Sequence, residues 1–484
     1  MVGFDNNKYL KLQSEEIKKR IKMFDSKLYI EFGGKLFDDM HASRVLPGFK
    51  KDSKIQILKE LKEDLEVVFC INAGDIEKKK ERADFGITYD LELFRLIENL
   101  QALDIYVSSV VITLYNGQQE VELFRKKLEE KGIKTYIHTF TKGYPTDIDT
   151  IVSEEGYGKN EYIKTSKKMV VLAAPGPNSG KLATCLSQLY HEYKRGVKAG
   201  YAKFETFPVW NLPLKHPVNM AYEAATADLG DINMIDSFHL EAYKERAVNY
   251  NRDLSTFPIL KNILEKITKE EIYKSPTDMG VNMVGYCITD ETVVKEAAKQ
   301  EIIRRYFNAK CDFKKGKVTA EVPKRIKVLM NELKISERDR DVYLENLTKE
   351  KEKNNKVVTI KLPNGKFVTG RETNLLTATS AAILNAIKEI TNIEDSVYLL
   401  SPNVLEPIIE IKHKTLLNCD SKLNLHEVLI ALSICKVTTP IIGKALENLN
   451  LLENCDAHAS YIIPVEESKI LKNLKINLTC TDKF

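Results

Sequence analysis

The chain has 484 residues, 43% of them hydrophobic and 29% charged, and its 73 basic and 69 acidic side chains leave a net charge of +4. A single core stops growing at roughly 250–300 residues, so two or three folded domains are expected rather than one core or a disordered chain. Near-neutrality argues against a dedicated nucleic-acid binder, and the short runs Lys78–Lys80 and Lys349–Lys356 read as solvated faces.

The start, Met1–Lys22, is polar and lacks the apolar core of a signal peptide. No apolar run approaches the ~18 residues needed to cross a bilayer. Of the eight cysteines no two stand at CxxC spacing. They read as reduced thiols of a cytoplasmic protein, not as zinc ligands. No membrane or nucleic-acid partner is expected, and self-association is left open.

In chain order, the first 210 residues alternate strands and helices. Leu28–Phe32 is a short apolar strand running into Gly33-Gly34, and Glu66–Ile71 is a second, ending at Asn72-Ala73-Gly74-Asp75. Tyr89–Leu103 reads as a helix with Leu91, Phe94, Ile97 and Leu100 on one stripe. Ile105–Leu114 is β-branched and strand-like, Glu120–Lys131 is an amphipathic helix closed by Gly132, and Lys134–Phe140 and Lys168–Ala174 are strands. Gly180–Arg195 is a helix. This alternation predicts an α/β domain over 1–235 built on a mainly parallel, Rossmann-like or P-loop-like sheet. Ligands of such sheets sit at the carboxyl ends of the strands.

Residues 236–355 read as a mainly helical domain, with Leu260–Ile267, Glu291–Tyr306 and Arg325–Lys334 as its clearest helices. Residues 356–484 read as a small α/β domain. It has a hairpin turning at Pro363-Asn364-Gly365, a helix Thr377–Thr391, short strands Val397–Leu400 and Ile408–Ile411, helices Leu425–Cys435 and Thr439–Leu449, and a closing strand Ile476–Cys480.

The strongest chemical signal is the run from Met169 to Leu186: an apolar strand, a Gly/Pro/Asn/Ser loop, then Gly180-Lys181 at the start of a helix. That is the layout of a phosphate-binding loop. Gly176, Asn178, Ser179, Gly180 and Lys181 would present backbone N–H groups and one ammonium to an anion. Pro175 stands where the P-loop consensus has Gly, and Leu182 where it has the Ser or Thr that ligates Mg²⁺. The rival reading is a tight strand–helix turn whose glycines only permit close packing.

Downstream, Asp228 and Asp231, with Glu223 and Asp236 beside them, are candidates to hold the metal of a magnesium nucleotide, or else N-caps and surface charge. The first strand delivers Lys35, Asp38, Asp39, His41 and Arg44 to the same sheet edge, for a second anion or acid–base work, or as a salt-bridged loop. The dense polar stretch Ala202–Phe207 with the proline-rich run Pro208–Asn219 around Trp210, and the turn Ser275–Asn282, read as irregular loops able to line a pocket, or for the first a structural corner. No GxSxG, HExxH or GxGxxG with its distal acid is present, so a hydrolase elbow, a zinc protease and an NAD site are not expected.

These features lead to an expected nucleotide-dependent, ATP/Mg-using transferase or ligase acting on a small molecule. In that reading Lys181, Lys35, His41 and Arg44 do the chemistry. The alternatives are an enzyme that binds a phosphorylated metabolite without ATP, or a nucleotide-sensing regulator without turnover.

The stretches Phe32–Asp39, His41–Phe49, Ala174–Leu182, Tyr201–Val218, Ala221–Leu229, Asn249–Asp253, Leu400–Ile408 and His458–Ile463 resemble an uncharacterised bacterial family, domain of unknown function 1846 (UPF0371). The resemblance spans nearly the whole chain. It implies an N-terminal α/β, a helical and a smaller C-terminal α/β part, and brings no assigned activity or catalytic residue with it.

Overall fold

The apolar runs of the first half become the strands of one sheet. In the computed structural model, which describes residues 2–24, 27–81, 86–353, 355–415, 422–437 and 439–483, these are β1 (Lys27–Phe32), β2 (Leu65–Asn72), β3 (Val107–Thr113), β4 (Lys134–Ile137), β5 (Met169–Ala173) and β6 (Ala199–Phe204). After a small antiparallel ribbon, β7 (Asn233–Ile235) with β8 (Val248–Tyr250), the short β9 (Gly280–Val281) completes the sheet. The order is β4-β3-β2-β5-β1-β6-β9, and every neighbouring pair is parallel. The five expected strands are β1 to β5. The continuous burial of β5, and of β2 up to Ile71, is what a strand covered by helices on both faces requires.

The chain divides into two compact units, Met1–Ala298 and Lys299–Phe484. Residues 236–298 thus fall with the seven-stranded sheet. The second unit holds the helices Glu321–Glu332 and Asp341–Lys353, then a sheet of β10 (Val357–Lys361), β11 (Phe367–Arg371), β12 (Asp456–Ala459) and β13 (Asn477–Cys480). Its order is β11-β10-β12-β13, with only β12 and β13 parallel. No helix among the described residues is long and apolar enough to cross a membrane.

Several local expectations fail for visible reasons. In the helix Tyr89–Gln101 the buried face is Tyr89, Leu93, Leu96, Ile97 and Leu100, and Leu91 is exposed. A stripe at spacing three drifts off a face whose true repeat is 3.6. Ile408–Ile411 belongs not to a strand but to the helix Pro402–Lys414. Pro402 starts that helix, and Val404, Leu405 and Ile408 pack on the core at helical spacing while Ile411 stays exposed.

The polar stretch that reads as irregular from Ala202 to Phe207 begins as β6. Its alternation is broken by Gly200, where a Cβ would lie 2.1 Å from the ring of Phe24, and by the charge of Lys203. The helix Asn6–Met23 shows no continuous apolar stripe because its buried face includes Asn6, Gln13 and Ser14. Gln13 donates to the Val281 carbonyl at 2.7 Å.

One topological feature places the site. β1 and β5 are neighbours, but the chain leaves β1 toward the β2 side and leaves β5 over β1 to reach β6. Connections that depart in opposite directions open a crevice at the strands' carboxyl ends, where parallel sheets bind ligands.

Candidate functional site

The loop between β5 and the helix Lys181–Lys194 lies at that crevice. Its carbonyls are tied back to the sheet: Thr113, at the end of β3, donates its hydroxyl to Ser179 O at 2.8 Å, and the Asn72 amide donates to Asn178 O at 3.3 Å. A trans peptide holds C=O and N–H on opposite sides, so the N–H groups of Ser179 and Gly180 point away from these anchors. Gly180 turns the chain at φ +83°, and the next amides, Lys181 to Ala183, sit in a first helical turn that offers them no carbonyl. Among the described residues none of these five amides has a backbone acceptor, and the buried Ser179 hydroxyl also lacks a partner.

The glycines serve packing as well. A Cβ on Gly176 would lie 2.5 Å from the Tyr89 ring, and one on Gly180 would lie 2.9 Å from the Thr113 side chain. Close packing and anion binding are therefore compatible readings of one loop: the tight turn is what aims the donors.

Lys181 reaches over β1, its ammonium 3.9 Å from Glu31. Glu31 also accepts the Tyr201 hydroxyl at 3.0 Å and lies across from Lys203 in the β1–β6 register. Residues directly opposite in a sheet share a face, so the two charges stand side by side. The Lys203 ammonium bridges Glu205 at 2.7 Å and Asp253 at 2.8 Å. Burial alone would lower the Lys203 pKa, but Asp253, Glu205 and Glu31 outweigh it and hold Lys203 charged.

The Glu205 carboxyl is held above its usual range, first by burial and then by Asp253 and Glu31, against the pull of Lys203. A carboxyl so poised, with a lysine beside it, can give and take a proton nearer neutrality than an exposed one. Beneath the cluster, burial pushes the Cys70 thiol up to about 12 and the Cys185 thiol higher, so both stay protonated.

Of the residues expected from sequence, Lys181 and the loop stand at the crevice. His41, in the short helix Met40–Val45, sets its ring edge-on to Phe207 and Tyr222 at 5.2 and 5.3 Å. Tyr222 stacks on Phe207, and burial, with the charges of Asp39, Asp231 and Glu205, raises its hydroxyl to about 12. Tyr222 thus carries the His41 ring contact and feels the charge of the buried Asp231.

Asp39 caps the His41 helix and pairs with Lys54 at 3.1 Å. Burial opposes its ionisation, yet Lys54, the Ala42 amide and His41 together lower its pKa. Arg44 is half-buried on the same helix, and Lys35 is exposed on the loop before it. Asp231 is held by Arg252 at 3.3 Å, whereas Asp228 is exposed in a turn. Glu223 accepts from Asn233, and Asp236 caps the helix Ser237–Tyr243. Ser275 and Asp278 form a capping box, and the Trp210 indole donates to Asn282 O at 3.0 Å, so both loops are tied into the fold. Among the described residues no three His, Cys, Asp or Glu side chains are grouped to hold a metal ion.

Sequence reasoning gave no role to Glu31, Tyr201 and Asp253, and placed Lys203 and Glu205 only in a stretch able to line a pocket. The available signal was a charge within an apolar strand: Glu31 inside Leu28-Tyr-Ile-Glu-Phe32, and Lys203 inside Tyr201-Ala-Lys-Phe204. A buried charge needs a partner or a purpose.

Comparison with known proteins gives two family matches that together cover nearly the whole chain. Residues 2–334 match the domain of unknown function DUF1846, N-terminal, and residues 338–484 match DUF1846, C-terminal. The chain is 56% identical over 492 residues to a UPF0371 protein of Clostridium tetani (strain Massachusetts / E88), covering 100% of this chain and 98% of the relative. The same identity and coverage hold for a UPF0371 protein of Clostridium botulinum (strain Langeland / NCTC 10281 / Type F).

Proposed function

For this chain, which belongs to the DUF1846 (UPF0371) family, we propose a cytoplasmic enzyme that holds the phosphate of a small-molecule ligand at Gly176–Lys181 and acts as a nucleotide-dependent transferase or ligase. The carrying observation is the orientation of the loop: its carbonyls are fixed to Thr113 and Asn72, so its amides face the crevice beside Lys181. In this reading the amides and the helix dipole bind the anion and Lys181 offsets charge on the transferred group. Glu205, held by Lys203, moves a proton at the acceptor, and His41 and Asp231 border the acceptor side. A Mg²⁺ would arrive with ATP and be held largely by its phosphates and by water, with Asp228 and Asp231 as its candidate protein ligands.

A specific observation favours a second reading. Three residues separate Gly176 from Gly180, where the P-loop has four, and Leu182 lacks the hydroxyl that ligates the metal. A shorter loop without that ligand suits a single phosphate group, as on a phosphorylated metabolite bound without a nucleotide.

A thermal-shift series with ATP, ADP, AMP, inorganic phosphate and sugar phosphates, each with and without Mg²⁺, separates the two. A ligand at ~100 times its Kd adds roughly 2.7 kcal/mol to folded-state stability. ATP stabilisation together with ³¹P-detected turnover supports the first reading. Stabilisation by phosphate monoesters alone supports the second. Binding without turnover leaves a sensor, and no response to any phosphate compound refutes the loop's role.

A further inference from the structure

The C-terminal unit contains two thiols that the proposed reaction does not use. Cys311 lies near the end of the helix Glu291–Lys314, and Cys480 closes β13, the edge strand of its sheet. Though 169 residues apart, they touch: Cys311 Sγ donates to the Cys480 carbonyl at 3.3 Å.

The pair is asymmetric. The hydrogen bond from Cys311 is the main cause that lowers the Cys480 thiol, with the Ile463 backbone and the Lys315 ammonium adding to it against burial. Cys311 is driven the other way, first by the same bond and then by burial. By contrast, burial pushes Cys287 and Cys455 up to about 11. Cys480 is half-buried on the edge strand of its sheet, and Cys311 is buried. Two thiols in contact, one more exposed and more acidic than the other, are the arrangement of a nucleophilic cysteine with its resolving partner.

We propose that Cys480 and Cys311 form a peroxide-oxidised dithiol site. The Cys480 thiolate attacks one oxygen of a hydroperoxide, the O–O bond breaks, and the alcohol or water leaves with a proton, which gives Cys480 sulfenic acid. The Cys311 sulfur then attacks the Cys480 sulfur and water leaves, carrying the Cys311 proton. The product is one disulfide, and the two electrons have gone to the peroxide. An external dithiol reverses the reaction by exchange. The bond would staple the helix end at Cys311 to β13 and is independent of any phosphate ligand.

The test uses the full chain treated with stoichiometric hydrogen peroxide, alkylated, digested without reductant and mapped by mass spectrometry. The expected result is a peptide pair joined through Cys311 and Cys480, two hydrogens lighter than the free peptides, with the titratable thiol count down by two and restored by dithiothreitol. Cys311→Ser should stop at a sulfenic acid on Cys480 that dimedone traps, and Cys480→Ser should leave Cys311 unmodified. The wild-type map decides the matter even if a variant fails to fold. A dominant disulfide between other cysteines, dimedone label on Cys311 instead of Cys480, or both thiols free after oxidation of the rest would overturn the proposal.

Discussion

Two buried polar clusters, one in each unit, differ in a way that separates structure from chemistry. In the C-terminal unit His458 is wholly buried, its ring nitrogens matched to the hydroxyls of Thr479 at 2.8 Å and Thr481 at 3.1 Å. Phe307 and Tyr343 each present an edge contact at 4.9 Å. The His458 carbonyl takes the Asn346 amide at 2.9 Å, and that amide also reaches Val357 O at 3.2 Å. This network is neutral and closes on itself.

At the carboxyl edge of the N-terminal sheet the groups are charged, and the adjoining amides of Ser179 to Ala183 end on no backbone acceptor among the described residues. A closed network fixes one packing arrangement; an open one is able to accept a ligand.

The largest expected effect is on the closed side. His458→Ala removes two hydrogen bonds and two ring contacts at a fully buried position, and should cost roughly 3–4 kcal/mol. Urea unfolding followed by hydrogen exchange of the β12 amides measures it, with ligand binding at the other unit unchanged. A loss below about 1 kcal/mol would mean that the network is not closed.

Next is Lys203→Met, which leaves Glu205 and Asp253 facing each other without a cation. Lys203 keeps 29% of its side-chain surface exposed, so the loss should fall at roughly 2–4 kcal/mol, at or below the range for a fully buried pair. Adding Glu205→Gln should restore more than half of it. A double variant no more stable than the single one would show that the charges are not coupled.

Protonation gives a smaller, graded effect. Burial is the main cause holding His138 at about 4 and His458 well below its usual value. Their folded pKa values are depressed, so the unfolded chain binds the extra proton. Stability should therefore fall as pH drops below ~6.5, by up to about 1.4 kcal/mol per pH unit for each histidine, and for His138 until about pH 4. Urea midpoints at pH 7, 6 and 5 should show this slope in both units. His138→Asn should flatten it only in the first, and His458→Asn only in the second. A pH-independent midpoint would contradict the neutral, buried state of both rings.

The comparison also explains what could be read from the sequence. β2, β3 and β5 were legible because Val-, Ile- and Leu-rich runs ended in turn residues, β1 because an apolar run ended at Gly33-Gly34, and β4 because it follows a helix closed by Gly132. The strand–loop–helix turn after β5 was legible because Gly176, Gly180 and Lys181 are contiguous with a strand and a helix. β12 was not, since Asp456-Ala-His-Ala459 has no strand-forming bias of its own and becomes a strand by lying between β10 and β13. The Lys203 cluster was hidden because its acids come from three segments, Glu31, Glu205 and Asp253, which only the β1–β6 register and the start of a distant helix bring together. Long-range pairing leaves no local mark on composition.

The central claim is that the Gly176–Lys181 loop is the open end of this site. Calorimetric titration of the wild-type chain and of Lys181→Ala with the best phosphate ligand from the thermal screen tests it most directly. Lys181 makes a long, 3.9 Å contact with Glu31, which keeps the Tyr201 hydroxyl when Lys181 is removed, so the loss of this largely buried contact should cost about 1–3 kcal/mol and leave the chain folded. Affinity should fall by roughly tenfold to a hundredfold, as expected for the loss of one charge-assisted contact of about 1.4–2.8 kcal/mol. Equal affinities in the two proteins, with both fully folded, would place the phosphate elsewhere and contradict the account.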